Sequence, residues 1–170
     1  FMGAPFLANP QAAVLYPLHL PLLWLDAAHQ VAWSAAIHAW LLAFGGYLLM
    51  RRLGGGWLAG LVTGLVLAGS GFYGGLIGHI NQMNGAAWLP WALLLVTPGK
   101  RPRRRSGVLL DGALLALVVA LMVLAGHTQT AYINLFGVGA WVLLLALQPM
   151  WQARRSGWRS ALRAANLGPA

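Results

Sequence analysis

Three clusters of basic residues separate long apolar stretches in this 170-residue chain, and this spacing limits the fold more than any other feature. The clusters occupy residues 51–52, 100–105 and 154–163. A helix needs about 20 apolar residues to cross the hydrocarbon core of a bilayer. Stretches close to that length lie between the clusters, so the sequence predicts an all-α, polytopic transmembrane helical bundle.

The composition excludes the other broad classes. Apolar residues make up 59% of the chain and charged residues 8%, against about 45–50% and 25% in soluble domains. A soluble domain of this size could not hide so much apolar surface from water, and a disordered chain needs the opposite balance. The chain has no cysteine, which excludes disulfides, thiol catalysis and Cys-ligated metals.

Five stretches are predicted to span the membrane. They cover residues 31–50, 57–77, 79–97, 108–125 and 130–147. The third is the weakest, because it starts with polar residues and contains Pro90. This divides the chain into a first loop at 1–30, a five-span region at 31–148 and a basic segment at 149–170.

The apolar segment 11–25 in the first loop is too short to span and carries Pro17 and Pro21. It predicts an interfacial or re-entrant helix that packs against the bundle or covers a cavity in it.

Alternation of five spans places all three basic clusters on one side of the membrane. Positively charged loops remain in the cytoplasm, so the first loop is predicted to be noncytoplasmic and the segment 149–170 cytoplasmic. Nucleic-acid binding is disfavoured, because the basic residues lie between apolar runs and do not form one surface with polar and aromatic residues. The predicted partner of the apolar stretches is the lipid bilayer.

Neutral polar residues gather on the opposite, noncytoplasmic side. The candidates for binding a sugar or a phosphate through hydrogen bonds are Asn9, Gln11, Tyr16, His79, Asn81, Gln82, His127 and Gln129. Polar groups near membrane depth need partners or a wet cavity, so their convergence from three segments predicts a binding cavity. The alternative is that they belong to ordinary turns, where Asn and Gly are common.

Asp26 is the only carboxylate predicted on the noncytoplasmic side. A carboxylate is a usual general base for activating a hydroxyl, which makes Asp26 the candidate catalytic residue of this chain. The alternative is an N-cap at the start of the first span. No two histidines have metal-binding spacing, and His38 is expected to hydrogen-bond a neighbouring helix, so no metal or other cofactor is predicted.

Four ordered motifs carry a resemblance to a known family. They are the run 3–11 followed by Tyr16-Pro17, then residues 51–54, then 78–81 running on to 88–90, and finally 124–129. Together they resemble the YfhO-like bacterial membrane proteins, which are grouped with the GT-C glycosyltransferases. The resemblance implies a multi-span enzyme of the bacterial inner membrane. Such an enzyme takes a sugar from a polyprenyl-phosphate carrier and passes it to a cell-envelope glycan or polymer on the noncytoplasmic face.

The resemblance does not supply a catalytic residue. The family's acid is expected early in the first large loop, in a region that would lie upstream of Phe1, and no residue here matches it. Because the chain begins with Phe1 in a loop and ends without a cap, it is interpreted as an internal piece of a longer protein. Two other functions remain open. A transporter or flippase for a lipid-linked or polar solute would suit glycine-broken helices and predicts polar groups near mid-membrane. A non-catalytic scaffold predicts tolerance to substitution at the polar turns.

Overall fold

The described part of the chain consists of helices joined by turns and short loops, and it contains no β-strand. A computed structural model describes residue 3, residues 8–99 and residues 105–166, with the backbone alone for 105 and 153–166. The α-helices are α1 Ala27–Arg52, α2 Trp57–Ala68, α3 Gly71–Gly75, α4 Ile80–Ala86, α5 Leu89–Val96, α6 Arg105–Leu124 and α7 Thr128–Asn166. The predicted all-α bundle is confirmed. The predicted basic segments at 100–104 and, for their side chains, at 154–163 lie outside the described residues.

Four helical stretches in the described part are long and apolar enough to cross a membrane. They are Ala27–Arg52, Trp57–Gly78, Ser106–Leu124 and Thr128–Gln152. The chain is therefore a membrane protein. The third predicted span is instead two short helices, α4 and α5, with a turn at Ala87 and Trp88. Pro90 near the start of α5 explains the break, because proline has no backbone N–H with which to continue the bonds of α4.

The α4–α5 pair nevertheless runs along α1 through most of the bundle. At one end Ser34 Oγ donates to Asn84 Oδ1 over 3.2 Å. At the other end Thr97 accepts at its carbonyl from Arg52 Nε over 3.0 Å, and at its hydroxyl from Trp141 Nε1 over 3.0 Å. The five predicted segments therefore alternate in direction. We call the end at Arg51 and Arg52 the basic end and the opposite end the polar end.

Helices α1 and α2 pack closely through glycines. A Cβ atom at Gly64 would lie 2.6 Å from the carbonyl oxygen of Ala43, and one at Gly60 would lie 2.6 Å from Cδ2 of Tyr47. Side chains at these two positions would push the helices apart. The small-residue spacing on α2 thus serves helix packing.

The segment before α1 folds as short 3₁₀ turns, where the sequence predicted an interfacial or re-entrant helix. The turns are Pro10–Ala12 and Pro17–Leu22, each with a proline in its first positions. Prolines this close together interrupt the i to i−4 bonds of an α-helix, which accounts for the difference. Tyr16 between the turns is fully buried, so the segment is attached to the polar end of the bundle by its own side chains.

Several helix boundaries differ from the prediction. The second predicted span contains two α-helices, α2 and α3, and the fourth begins at Arg105. Helix α1 begins at Ala27 and not at residue 31, because Asp26 caps it. Helix α7 continues through Pro149 to Asn166, although the sequence predicted an end near residue 147. The predicted division at residue 149 therefore does not coincide with the end of a helix.

Candidate functional site

Five of the predicted binding residues line one cavity at the polar end. The cavity has a volume of about 370 Å³ and is lined by Gln11, Gly78, His79, Ile80, Asn81, Gln82 and His127. They come from the first 3₁₀ turn, the start of α4 and the residue before α7. We call this cavity the polar pocket.

Hydrogen bonds fix some of these side chains and leave one available. Asn81 Nδ2 donates to the carbonyl oxygen of Gln11 over 2.6 Å, which attaches α4 to the first 3₁₀ turn. Gln82 Nε2 lies 3.1 Å from His127 Nε2. On the other side of the ring, His127 Nδ1 accepts from the backbone N–H of Thr130 over 3.1 Å and lies 2.8 Å from Thr130 Oγ1. The exposed ring of His79 has no hydrogen-bond partner within the described part of the chain.

A larger and mostly apolar cavity adjoins the polar pocket. Its volume is about 510 Å³, and its lining residues are Leu42, Leu67, Ser70, Phe72, Tyr73, Leu76, Gln82, Ala86, Leu89, Pro90, His127, Gln129, Thr130, Ile133 and Asn134. We call it the apolar cavity. It shares Gln82 and His127 with the polar pocket. Phe72 and Ile133 in its lining are 78% and 58% exposed, so the cavity reaches the outer surface of the bundle.

The remaining predicted binding residues lie elsewhere. Gln129 lines the apolar cavity. Asn9 caps the first 3₁₀ turn, where its Oδ1 accepts from the backbone N–H of Gln11 over 3.0 Å. Tyr16 lines neither cavity and is fully buried.

Tyr16 belongs to a buried chain of three hydrogen bonds. Trp88 Nε1 donates to the Tyr16 hydroxyl over 2.8 Å, and the Tyr16 hydroxyl in turn donates to His38 Nε2 over 2.6 Å. His38 Nδ1 donates to the carbonyl oxygen of Ser34 over 2.6 Å. Burial raises the pKa of Tyr16 because it disfavours the phenolate. His38 is thus bonded both within its own helix and to the N-terminal segment, where the sequence predicted a neighbouring helix.

His19 makes a second attachment of the N-terminal segment. Asn84 Nδ2 donates to His19 Nε2 over 3.0 Å, while Asn84 Oδ1 accepts from Ser34 Oγ over 3.2 Å. Burial lowers the pKa of His19, because its charged form loses water. The hydrogen bond between His19 and Asn84 therefore attaches the N-terminal segment to α4.

Asp26 has the geometry of a helix cap. One of its carboxylate oxygens accepts from the backbone N–H groups of Ala28 and His29, over 3.1 and 3.2 Å. The other lies 2.5 Å from His29 Nδ1. The backbone and then the side-chain bond from His29 lower the pKa of Asp26, which is exposed and lines neither cavity. These contacts are those of an N-cap, the alternative given for Asp26 in the sequence analysis. Its role as a general base stays a prediction.

Four polar lining residues of the apolar cavity were not predicted as site residues: Ser70, Tyr73, Thr130 and Asn134. Thr130 and Asn134 are four residues apart and so share one face of α7, the only sequence signal that could have found them. No group of three or more metal-ligating side chains occurs in the described ranges.

Comparisons with known proteins leave the family open. No protein-family model, no curated protein and no solved structure matches the chain. The resemblance to the YfhO-like proteins therefore stays a prediction.

Proposed function

We propose that this chain belongs to a membrane glycosyltransferase of the bacterial inner membrane. It transfers a sugar from a polyprenyl-phosphate donor to a cell-envelope glycan or polymer on the noncytoplasmic face. The observation that supports this proposal is the junction of the two cavities. The polar pocket and the apolar cavity meet at Gln82 and His127.

A lipid-linked sugar matches this junction in chemistry. Its hydroxyl groups need hydrogen-bond donors and acceptors, which Gln82, His79 and His127 provide in the polar pocket. Its lipid needs apolar walls that reach the surrounding bilayer, which the apolar cavity provides at Phe72 and Ile133. Ligand sites are in general mostly apolar with a few polar groups that fix orientation.

The proposed reaction uses a carboxylate as general base. The base takes the proton of an acceptor hydroxyl, the hydroxyl oxygen bonds to the anomeric carbon, and the bond from that carbon to the phosphate oxygen breaks. The lipid phosphate leaves with the bonding electrons. Asp26 at the polar end is the candidate base within this chain.

The proposal is tested by glycan transfer in nanodiscs with the full-length protein. Gln82→Ala removes the side chain that contacts His127 Nε2, so we expect the transfer rate to fall about tenfold or more. His127→Ala is expected to cause a similar loss. Gln152→Ala, an exposed glutamine far along α7, is the matched control and should keep the rate within about twofold.

A non-catalytic scaffold predicts instead that substitutions at the polar turns have no effect. Unchanged transfer in both Gln82→Ala and His127→Ala would refute the site assignment. Movement of a fluorescent lipid-linked sugar across vesicles without any acceptor would instead favour a flippase.

A further inference from the structure

Tyr73 carries a buried hydroxyl group without a partner. The residue lines the apolar cavity and is only 2% exposed. Its hydroxyl oxygen has no hydrogen-bond partner among the described residues. Buried polar groups in folded proteins are nearly always bonded, because withdrawing a hydroxyl from water without a new bond is unfavourable. A partner from outside the described part of the chain is therefore expected.

The lining of the apolar cavity indicates which chemistry that partner has. No Asp, Glu, Lys or Arg is among its lining residues. Its polar side chains are neutral amides, hydroxyls and an imidazole: Ser70, Tyr73, Gln82, His127, Gln129, Thr130 and Asn134. A buried phosphate needs a cation or several charge-assisted bonds. Neutral hydroxyl and amide groups suit the hydroxyls of a sugar ring.

Helix α3, which carries Tyr73, has open space beside its glycines. Tyr73 lies on the five-residue helix α3, which begins at the cap Ser70. A Cβ atom built at Gly71, Gly74 or Gly75 would meet no other atom within 4 Å. The glycine positions of α3 are therefore not packed against other described parts of the chain.

We infer that the Tyr73 hydroxyl hydrogen-bonds to a hydroxyl of the sugar of a glycolipid, where that sugar extends past Gln82 and His127 from the polar pocket into the apolar cavity. Tyr73 then favours the binding of a neutral sugar hydroxyl over a phosphate at this position in the apolar cavity. This inference rests on the proposed function for the class of ligand, and it adds the position of the sugar and the residue that contacts it.

The test measures binding and stability of the Tyr73→Phe variant in nanodiscs of zwitterionic lipid. The probes are octyl glucoside, octyl galactoside, octyl mannoside and octyl phosphate, each below its critical micelle concentration. Intrinsic tryptophan fluorescence follows both titration and thermal unfolding. Tyr132→Phe is the matched control, since Tyr132 is 70% exposed and lines neither cavity.

We expect at least one octyl glycoside to bind, and Tyr73→Phe to weaken that binding about five- to tenfold, the effect of one neutral hydrogen bond. Without ligand, the same variant should unfold about 2–4 °C higher, because an unpaired buried hydroxyl has been removed. Tyr132→Phe should change neither quantity. Opposite signs for affinity and stability are the signature of a group that is unpaired until the ligand binds.

Three results would overturn the inference: no glycoside binds, Tyr73→Phe leaves every glycoside affinity unchanged, or octyl phosphate binds more tightly than all glycosides. A glycoside affinity that depends on Tyr73 supports the inference even if glycan transfer is not detected. The failure of the proposed function and the failure of this inference can therefore be distinguished.

Discussion

Replacing Tyr16 by phenylalanine removes one oxygen atom and breaks two buried hydrogen bonds. Trp88 Nε1 loses its acceptor and His38 Nε2 loses its donor. Trp88 is 8% exposed and His38 is 0% exposed, so water does not readily replace the lost group. A buried group left unpaired costs about 1–3 kcal/mol, so the free energy of unfolding should fall by about 3 kcal/mol.

This loss should be visible as a shift in melting temperature. In chains of this size about 1 kcal/mol corresponds to about 2–4 °C, so Tyr16→Phe is expected to unfold about 6–12 °C lower. Thermal unfolding in nanodiscs, followed by tryptophan fluorescence, measures it. Tyr132→Phe, which removes an exposed hydroxyl, is the control and should shift the melting temperature by less than about 1 °C.

A double variant tests whether the bond itself is responsible. Tyr16→Phe combined with Trp88→Phe removes donor and acceptor together, so its loss should be smaller than the sum of the two single losses by about 0.5–3 kcal/mol. A Tyr16→Phe protein that melts with the wild type would refute the reasoning. Strictly additive losses would refute the coupling through this bond.

Five further substitutions, at Gly64, Gly74, Asp26 and His19, test other parts of the bundle by thermal unfolding. Gly64→Ala should destabilise by about 1–3 kcal/mol because the new methyl group meets backbone on α1, whereas Gly74→Ala has open space and should be neutral or slightly stabilising; equal effects would contradict the close helix contact. Asp26→Asn should keep the helix cap and the melting temperature while Asp26→Ala lowers it, and transfer activity that survives in Asp26→Asn would exclude this carboxylate as the base. The lowered pKa of Asp26 means that its contribution is present above the unfolded-state pKa of 3.8 and is lost as the pH falls through the lower folded value. His19 also has a lowered pKa, so its contribution is complete above 6.5 and is lost as the pH falls below that value, where the unfolded chain takes up the proton first. His19→Gln should flatten the pH dependence of unfolding in that range, and an unchanged slope would contradict the assignment to His19.

The fold class could be predicted because apolar length is a direct physical requirement for crossing a bilayer. The interruption at Ala87 and Trp88 followed from a residue already visible in the sequence, Pro90. The end of α7 could not be predicted in the same way. Pro149 removes one hydrogen bond but does not determine whether the remaining bonds continue the helix to Asn166.

The candidate site was only partly predictable. Alternating spans bring Gln11, Asn81 and His127 to the same end of the bundle, and the structure places them around one cavity. No sequence pattern indicated which side chains far apart along the chain would contact each other. Tyr16 and Trp88 are 72 residues apart. The hydroxyl of Tyr73 is unpaired because no described side chain or backbone group reaches it, and this depends on the three-dimensional packing.

The buried chain from Trp88 to Ser34 has a fixed direction, which has a consequence for ion leakage. An indole nitrogen can only donate, and a carbonyl oxygen can only accept. The three bonds between them therefore cannot all reverse, as a relay that passes protons from one member to the next would require. A continuous row of polar groups inside a membrane protein could let protons leak across the membrane and dissipate the proton gradient. Because Trp88 Nε1 can only donate and the Ser34 carbonyl can only accept, this chain of three bonds does not conduct protons from one end to the other.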